Sequence, residues 1–184
     1  MKRSALILTV TAWESFLEDT VTEQLETRLR KACDPSEQRS VFNSVAHEWL
    51  TSAKPERLVP DLVHWTGDGW KDMVRKSLAD SLEAFHSPKS ENTNRLFDQY
   101  LGISICEHWF WKGVSKERAS RQLDELITLR GRVTHRGVTR HPASRQEPSV
   151  LRSDVVKALN LVYNLVDATE RALGVSPSYR PFDT

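Results

Sequence analysis

The chain opens with apolar residues at Leu6, Val10, Trp13, Leu17, Val21, Leu25 and Leu29, spaced by fours and threes, with Phe16 widening the stripe. That period lays one buried face along an amphipathic helix over 4–31. Asp34-Pro35-Ser36 stops it, and Val41, Phe42, Val45, Trp49 and Leu50 form the apolar side of a second helix over 37–53. Pro55 and Pro60 bracket an irregular piece. WTGDGW (65–70) then makes a turn whose Asp68 caps a third helix, 69–86. His86-Ser87-Pro88 breaks that helix, and a shorter one, SENTNRLFDQYLG, runs to Gly102. The connection ICEHWFWKG brings Trp109, Phe110 and Trp111 together. Aromatics so placed read as a plug for the end of a bundle in preference to a base-stacking platform.

From Ser115 a further helix carries Ala119, Leu123, Leu126, Ile127 and Val133 on one face, with Ser115 as N-cap and Glu117 in the first turn, where the dipole favours an acid. A loop holding Pro142 and Pro148 leads to a last helix, 150–173, with Val155, Leu159, Val162, Val166 and Leu173 on one side and Leu161 and Leu165 beside it. Gly174 ends it. No strand, repeat or low-complexity tract interrupts this pattern. It predicts an all-α fold, an antiparallel helical bundle with short accessory helices, as a single domain over 1–174 followed by a frayed tail, 175–184.

Composition changes little of this picture. Lys+Arg at 26 against Asp+Glu at 25 gives no global attraction to nucleic acid, so any such attraction is local. Two cysteines, Cys33 and Cys106, make no disulfide framework and fit a reducing compartment. The start, MKR then ALILTVTA, mimics a short signal peptide. Thr9 and Thr11 break the apolar run, however, and it flows into Glu14, Glu18 and Asp19 without losing helical period. Nothing approaches the roughly 20 apolar residues of a membrane span. The reading is a cytoplasmic protein with no membrane partner.

Charge is unevenly placed. Thr11–Thr27 holds five acids and no base, whereas Thr128–Gln146 holds five arginines (130, 132, 136, 140, 145), His135 and His141, and no acid. The second stretch is electropositive by composition, and phosphate is its natural partner. The plainer alternative is a solvated helix end, since arginines suit the C-terminal turn and Gly137 supplies a stop. Arg130 resists that alternative. It falls three or four residues from Leu126, Ile127 and Val133, on the buried face. An unpaired guanidinium there costs on the order of several kcal/mol. A pair with Glu14 of the first helix would satisfy the charge. His135 lies about 140° round an ideal helix from Arg130, so the two share a ligand only at the helix end or across a seam between two copies.

Other chemistry is missing from the sequence. The Cys106/His108 pair and His135/His141 lack third and fourth ligands at zinc spacing, so no metal and no cofactor are expected. No nucleophile elbow, phosphate loop or dinucleotide glycine pattern occurs. One arginine, one histidine and a rim of further arginines remain. Cleavage of RNA by its own 2′-hydroxyl needs a base near neutrality, which histidine supplies, and donors for the phosphorane, which arginine supplies.

These residues resemble the HEPN superfamily. The run R-G-R-V-T-H-R-G (130–137) is similar to its signature of an arginine and a histidine four to six residues apart near a helix end. The opening ALILTVTAWESFLEDTV, then SENTNRLFDQYLGI with its W-F-W, and the L-x-x-L-x-x-L-R-G-x-V-T-H-R-G block resemble the RiboL-PSP-HEPN branch in order and spacing over about 5–173. The resemblance implies a HEPN-type bundle that forms a homodimer, bringing two Arg/His pairs into a cleft. It also implies metal-independent endoribonuclease activity in toxin–antitoxin systems or phage defence, with an antitoxin or other protein as partner. Carried over by position, Arg130 and His135 are catalytic, and Arg132, Arg136 and His141 form the RNA-binding rim. Other members are catalytically inactive and bind RNA or a protein partner. Two departures stand out. Gly131 replaces the polar residue, commonly Asn, that follows the arginine, and related proteins are expected to carry more sequence ahead of the helix with Trp13 and Glu14.

Overall fold

In a computed structural model, residues 1–52, 65–135 and 150–175 are described. Among them are six α-helices: α1 (Lys2–Lys31), α2 (Arg39–Ser52), α3 (Gly69–Glu83), α4 (Ser90–Leu101), α5 (Lys116–His135) and α6 (Arg152–Leu173). Short 3₁₀ turns, Pro35–Gln38 and Ile105–His108, join them, and no strand occurs among the described residues. The fold is all-α. The residues around Pro55 and Pro60, the loop with Pro142 and Pro148, and the tail from 176 on lie outside the described residues. No described helix is long and apolar enough to cross a membrane.

Every position of the α1 stripe, from Leu6 to Leu29, is buried. Its last turn carries Arg28, Arg30 and Lys31, which suit the negative end of the helix dipole. The chain forms two compact units. One comprises 1–17, 87–93 and 105 onward; the other comprises 18–86 and 94–104.

In the first unit, Trp13 and Trp109 meet edge to face, with ring centroids 5.8 Å apart. The Trp109 indole N–H donates to the Thr169 hydroxyl at 3.0 Å, so a buried polar edge is satisfied as its ring is buried. Around this pair lie Leu123, Leu126 and Ile127 of α5 and Ala158, Leu165 and Ala168 of α6, all buried. Of the three aromatics expected to plug the bundle, Trp109 alone does so; Phe110 is 54 % exposed and Trp111 half-buried. A tight turn separates their fates. Trp111 and Val114 exchange backbone hydrogen bonds at 3.2 and 2.9 Å around Gly113, whose φ of 79° a side chain would resist.

In the second unit, Val41 and Val45 of α2, Trp70, Val74 and Leu78 of α3, and Phe97 and Tyr100 of α4 form the core. The Tyr100 hydroxyl bonds Ser77 and Ser81 hydroxyls at 2.8 and 2.7 Å, and burial pushes its pKa up. The Arg28 guanidinium donates to the Leu101 carbonyl at 2.6 Å, satisfying an orphan acceptor at the end of α4.

Three local expectations need correction. The second helix is split, because Asp34 accepts the Ser36 N–H at 2.7 Å and Glu37 reaches back to the Asp34 N–H, closing a capping box on the 3₁₀ turn before α2 begins. Asp68 sits at the start of α3 but makes no side-chain cap; its carboxylate pairs with Lys71 at 2.9 Å. On α6 the buried positions are Ala158, Leu165, Ala168, Thr169 and Glu170, while Leu159 is 52 % exposed and Val155, Val162, Val166 and Leu173 are half-buried. This helix has more apolar residues than one face holds. Two of its three alanines, Ala158 and Ala168, mark the side where the helix packs.

Candidate functional site

Helix α5 is anchored at its start and middle before it reaches the basic segment. The Ser115 hydroxyl accepts the Arg118 N–H at 3.4 Å, as an N-cap should, and its bond to Glu117 holds that carboxyl below its ordinary value. About two turns on from Glu117, the Asp124 carboxylate accepts from both the backbone N–H and the hydroxyl of Ser90, at 2.8 and 2.9 Å. Beside it, the Cys106 thiol donates to the Ser90 carbonyl at 3.3 Å. Burial pushes that thiol's pKa up to about 12, which removes Cys106 as a nucleophile at neutral pH.

Arg130 occupies the penultimate turn, on the side of α5 that carries Ile127 and Val133, both buried. Its guanidinium faces Glu14 of α1, with Nη2 3.7 Å from Oε2 and side-chain exposures of 28 % and 17 %. At that distance the contact is a charge attraction without a formed hydrogen bond. The Arg130 Nε is buried and has no hydrogen-bond partner. Leaving such a donor unmet costs about 1–3 kcal/mol. Arg130 is thus a half-buried cation, loosely paired with Glu14 and with one donor unmet.

Arg132 is exposed and lines two adjoining grooves on another side of the helix. On an ideal helix it lies about 200° from Arg130, while position 135 lies only about 60° from Arg132. His135 ends α5; its side chain lies outside the described residues, as do Arg136 and His141. Arg130 and Arg132 are therefore not brought together within one helix face. Among the described residues no cluster of three or more His, Cys, Asp or Glu could hold a metal ion.

The order of these elements can now be set beside known families. The RiboL-PSP-HEPN family matches the chain over residues 1–174. The chain belongs to the RiboL-PSP-HEPN family. HEPN domains are all-α, as this fold is, and the family name carries a possible connection to RNA. Comparison with curated proteins and with solved structures gives no match.

Within this HEPN chain, two features of the site escaped sequence reasoning. The Asp124–Ser90 contact, which ties Ser90 to α5, has no sequence signature, since Asp124 reads as one of many exposed helix acids. The groove side of α5 was also missed, because Gln122, Leu129 and Arg132 look like ordinary surface positions until α6 is placed beside them. Gly131, the departure from the commoner polar residue, is not demanded by packing: a Cβ there would meet nothing within 4 Å.

Proposed function

We propose that this HEPN protein is a metal-independent endoribonuclease, acting in the cytoplasm as a homodimer in a toxin or phage-defence setting. A single domain over 1–174 would carry the activity. In the reaction the RNA 2′-oxygen attacks the adjacent phosphorus, the P–O5′ bond breaks, and the products end in a 2′,3′-cyclic phosphate and a 5′-hydroxyl. His135 takes the 2′-hydroxyl proton or returns one to the leaving oxygen, and Arg130 neutralises the phosphorane. Arg132, Arg136 and His141 hold neighbouring phosphates. The observation that carries this reading is Arg130 itself: at the family's motif position it is half-buried, loosely paired and left with an unmet Nε. A phosphoryl group accepts from a guanidinium at two points, as the lone Glu14 contact does not.

A catalytically inactive module that binds RNA or a protein such as an antitoxin is the second reading. Glu14 favours it, because an acid beside Arg130 competes with phosphate.

The deciding experiment incubates purified protein with total RNA and with tRNA in excess EDTA and reads the fragment ends. Cyclic phosphate and 5′-hydroxyl ends from wild type, absent with His135→Ala while RNA binding persists, support the enzyme. Activity lost in EDTA and rescued by magnesium overturns the metal-free route. Wild type that binds RNA but never cuts it supports the silent module. A sedimentation run showing a monomer at tens of micromolar, roughly the range in which homodimers associate, counts against a shared cleft.

A further inference from the structure

Between α5 and α6 of the first unit lies a groove of about 570 Å³, within the roughly 300–1,000 Å³ of small-ligand sites. Leu126, Leu129 and Leu161 give it an apolar floor, and the half-buried Trp111 stands at its wall. The Trp111–Val114 turn fixes the backbone from which that indole projects. Gln122 and Asn160 offer amides to the same space. Two cations, Arg132 and Lys157, are balanced by two acids, Glu125 and Asp154. Asp154 is already engaged, accepting the Leu151 N–H at 2.9 Å to cap α6.

We infer that this groove is a nucleobase subsite, seating one unpaired base of an RNA strand against Trp111 with its edge read by Gln122 and Asn160. The inference rests on the endoribonuclease reading for the placing of the strand, and it adds where a base goes. The charge balance decides the orientation. A phosphate inside the groove would meet Glu125 and Asp154 as well as the cations, whereas a neutral, flat, polar-edged ring suits a leucine floor, an indole and amides. The phosphates then lie at the rim. Arg132 belongs both to this groove and to the adjoining one, which Arg121, Thr128 and the acids Asp124 and Glu125 also line, so it marks the path between them. Position 135 is about one helical turn beyond Arg132 and about 20 Å along the helix from Gln122, so a strand whose base sits against Trp111 would run along α5 past Arg132 before it reaches the place where cleavage is proposed. The exposed apolar residues of α6, Val156, Leu159 and Tyr163, point about 150° away from the groove side of that helix and take no part.

The test uses mononucleotides (AMP, CMP, GMP and UMP) with the whole protein, read by saturation-transfer NMR. Base protons should saturate more strongly than ribose protons. Trp111→Ala and the surface change Asn160→Ala should each weaken binding about 5- to 100-fold, the range of losing a stacking or edge contact. Leu159→Ala, on the other side of α6, should leave it unchanged. Saturation equal in wild type and both groove variants, or confined to ribose, overturns the inference. A parallel cleavage assay separates the two claims. If wild type cuts RNA while Trp111→Ala and Asn160→Ala leave both KM and saturation unmoved, the groove falls and the nuclease stands. If wild type cuts nothing, yet base saturation depends on Asn160, the groove stands and the nuclease falls.

Discussion

The Arg130 guanidinium and the Glu14 carboxylate face each other across α5 and α1 at 3.7 Å, both mostly shielded from water. Neither side chain is satisfied by the other alone, because the approach is too long for a hydrogen bond and Arg130 Nε lacks a partner. The pair is a loose brace between α5 and the start of α1.

Glu14→Gln therefore separates brace from catalysis. It keeps the shape and removes the charge, and should lower stability by about 1–2 kcal/mol, between the values for exposed and buried pairs. For a chain of this size that is a fall of roughly 2–8 °C in Tm. On the endoribonuclease reading proposed above, cleavage should survive, since there the carboxylate would only compete with phosphate. Arg130→Ala should lose both, and a melting curve run beside the RNA assay distinguishes them.

Salt dependence checks the rim. Each phosphate contact on single-stranded RNA contributes about 0.7 to the slope of log binding constant against log salt. Arg132→Ala with Arg136→Ala should flatten the slope by about 1.4 by that rule. An unchanged slope in fluorescence anisotropy would move the binding surface elsewhere.

Gly131 lies inside α5 with open space where a Cβ would stand. Gly131→Ala should stabilise the protein by about 0.5–1 kcal/mol through lost freedom of the unfolded chain. A calorimetric Tm that drops would mean that this turn of the helix needs the glycine for something the free protein does not display.

The two thiols should differ sharply. Cys33 is exposed, and Cys106 is shielded with its pKa raised to about 12. Iodoacetamide at pH 8 should label Cys33 first, as peptide mass spectrometry would read. A thiol whose folded pKa lies above its unfolded value of about 8.5 stabilises the protein fully below that value and loses the contribution as pH rises beyond it. Stability should therefore fall above about pH 9 in wild type, and less steeply in Cys106→Ala.

Much of the fold was legible because α1 repeats one apolar spacing for seven turns and all its stripe positions are buried. The α6 face was not. That helix is apolar on more than one side, and periodicity cannot tell which side a neighbour covers; the small Ala158 and Ala168 were the better guide. At the site, the misplaced charge of Arg130 could be read from its register, and Glu14 was the partner that the first helix offered it. The groove could not, because it is made by α5 and α6 together, and neither helix shows it alone.

The Asp124–Ser90 contact has a consequence for how the chain is made. The first turn of α4 has its N–H at Ser90 closed by a carboxylate 34 residues further along. A twelve-residue helix is marginal by itself in water. During synthesis, α4 thus emerges from the ribosome without its clasp, and its leading end becomes protected only after Asp124 has been made and α5 has wound far enough to present it. Hydrogen exchange on stalled nascent chains should show residues 90–93 gaining protection late, together with α5.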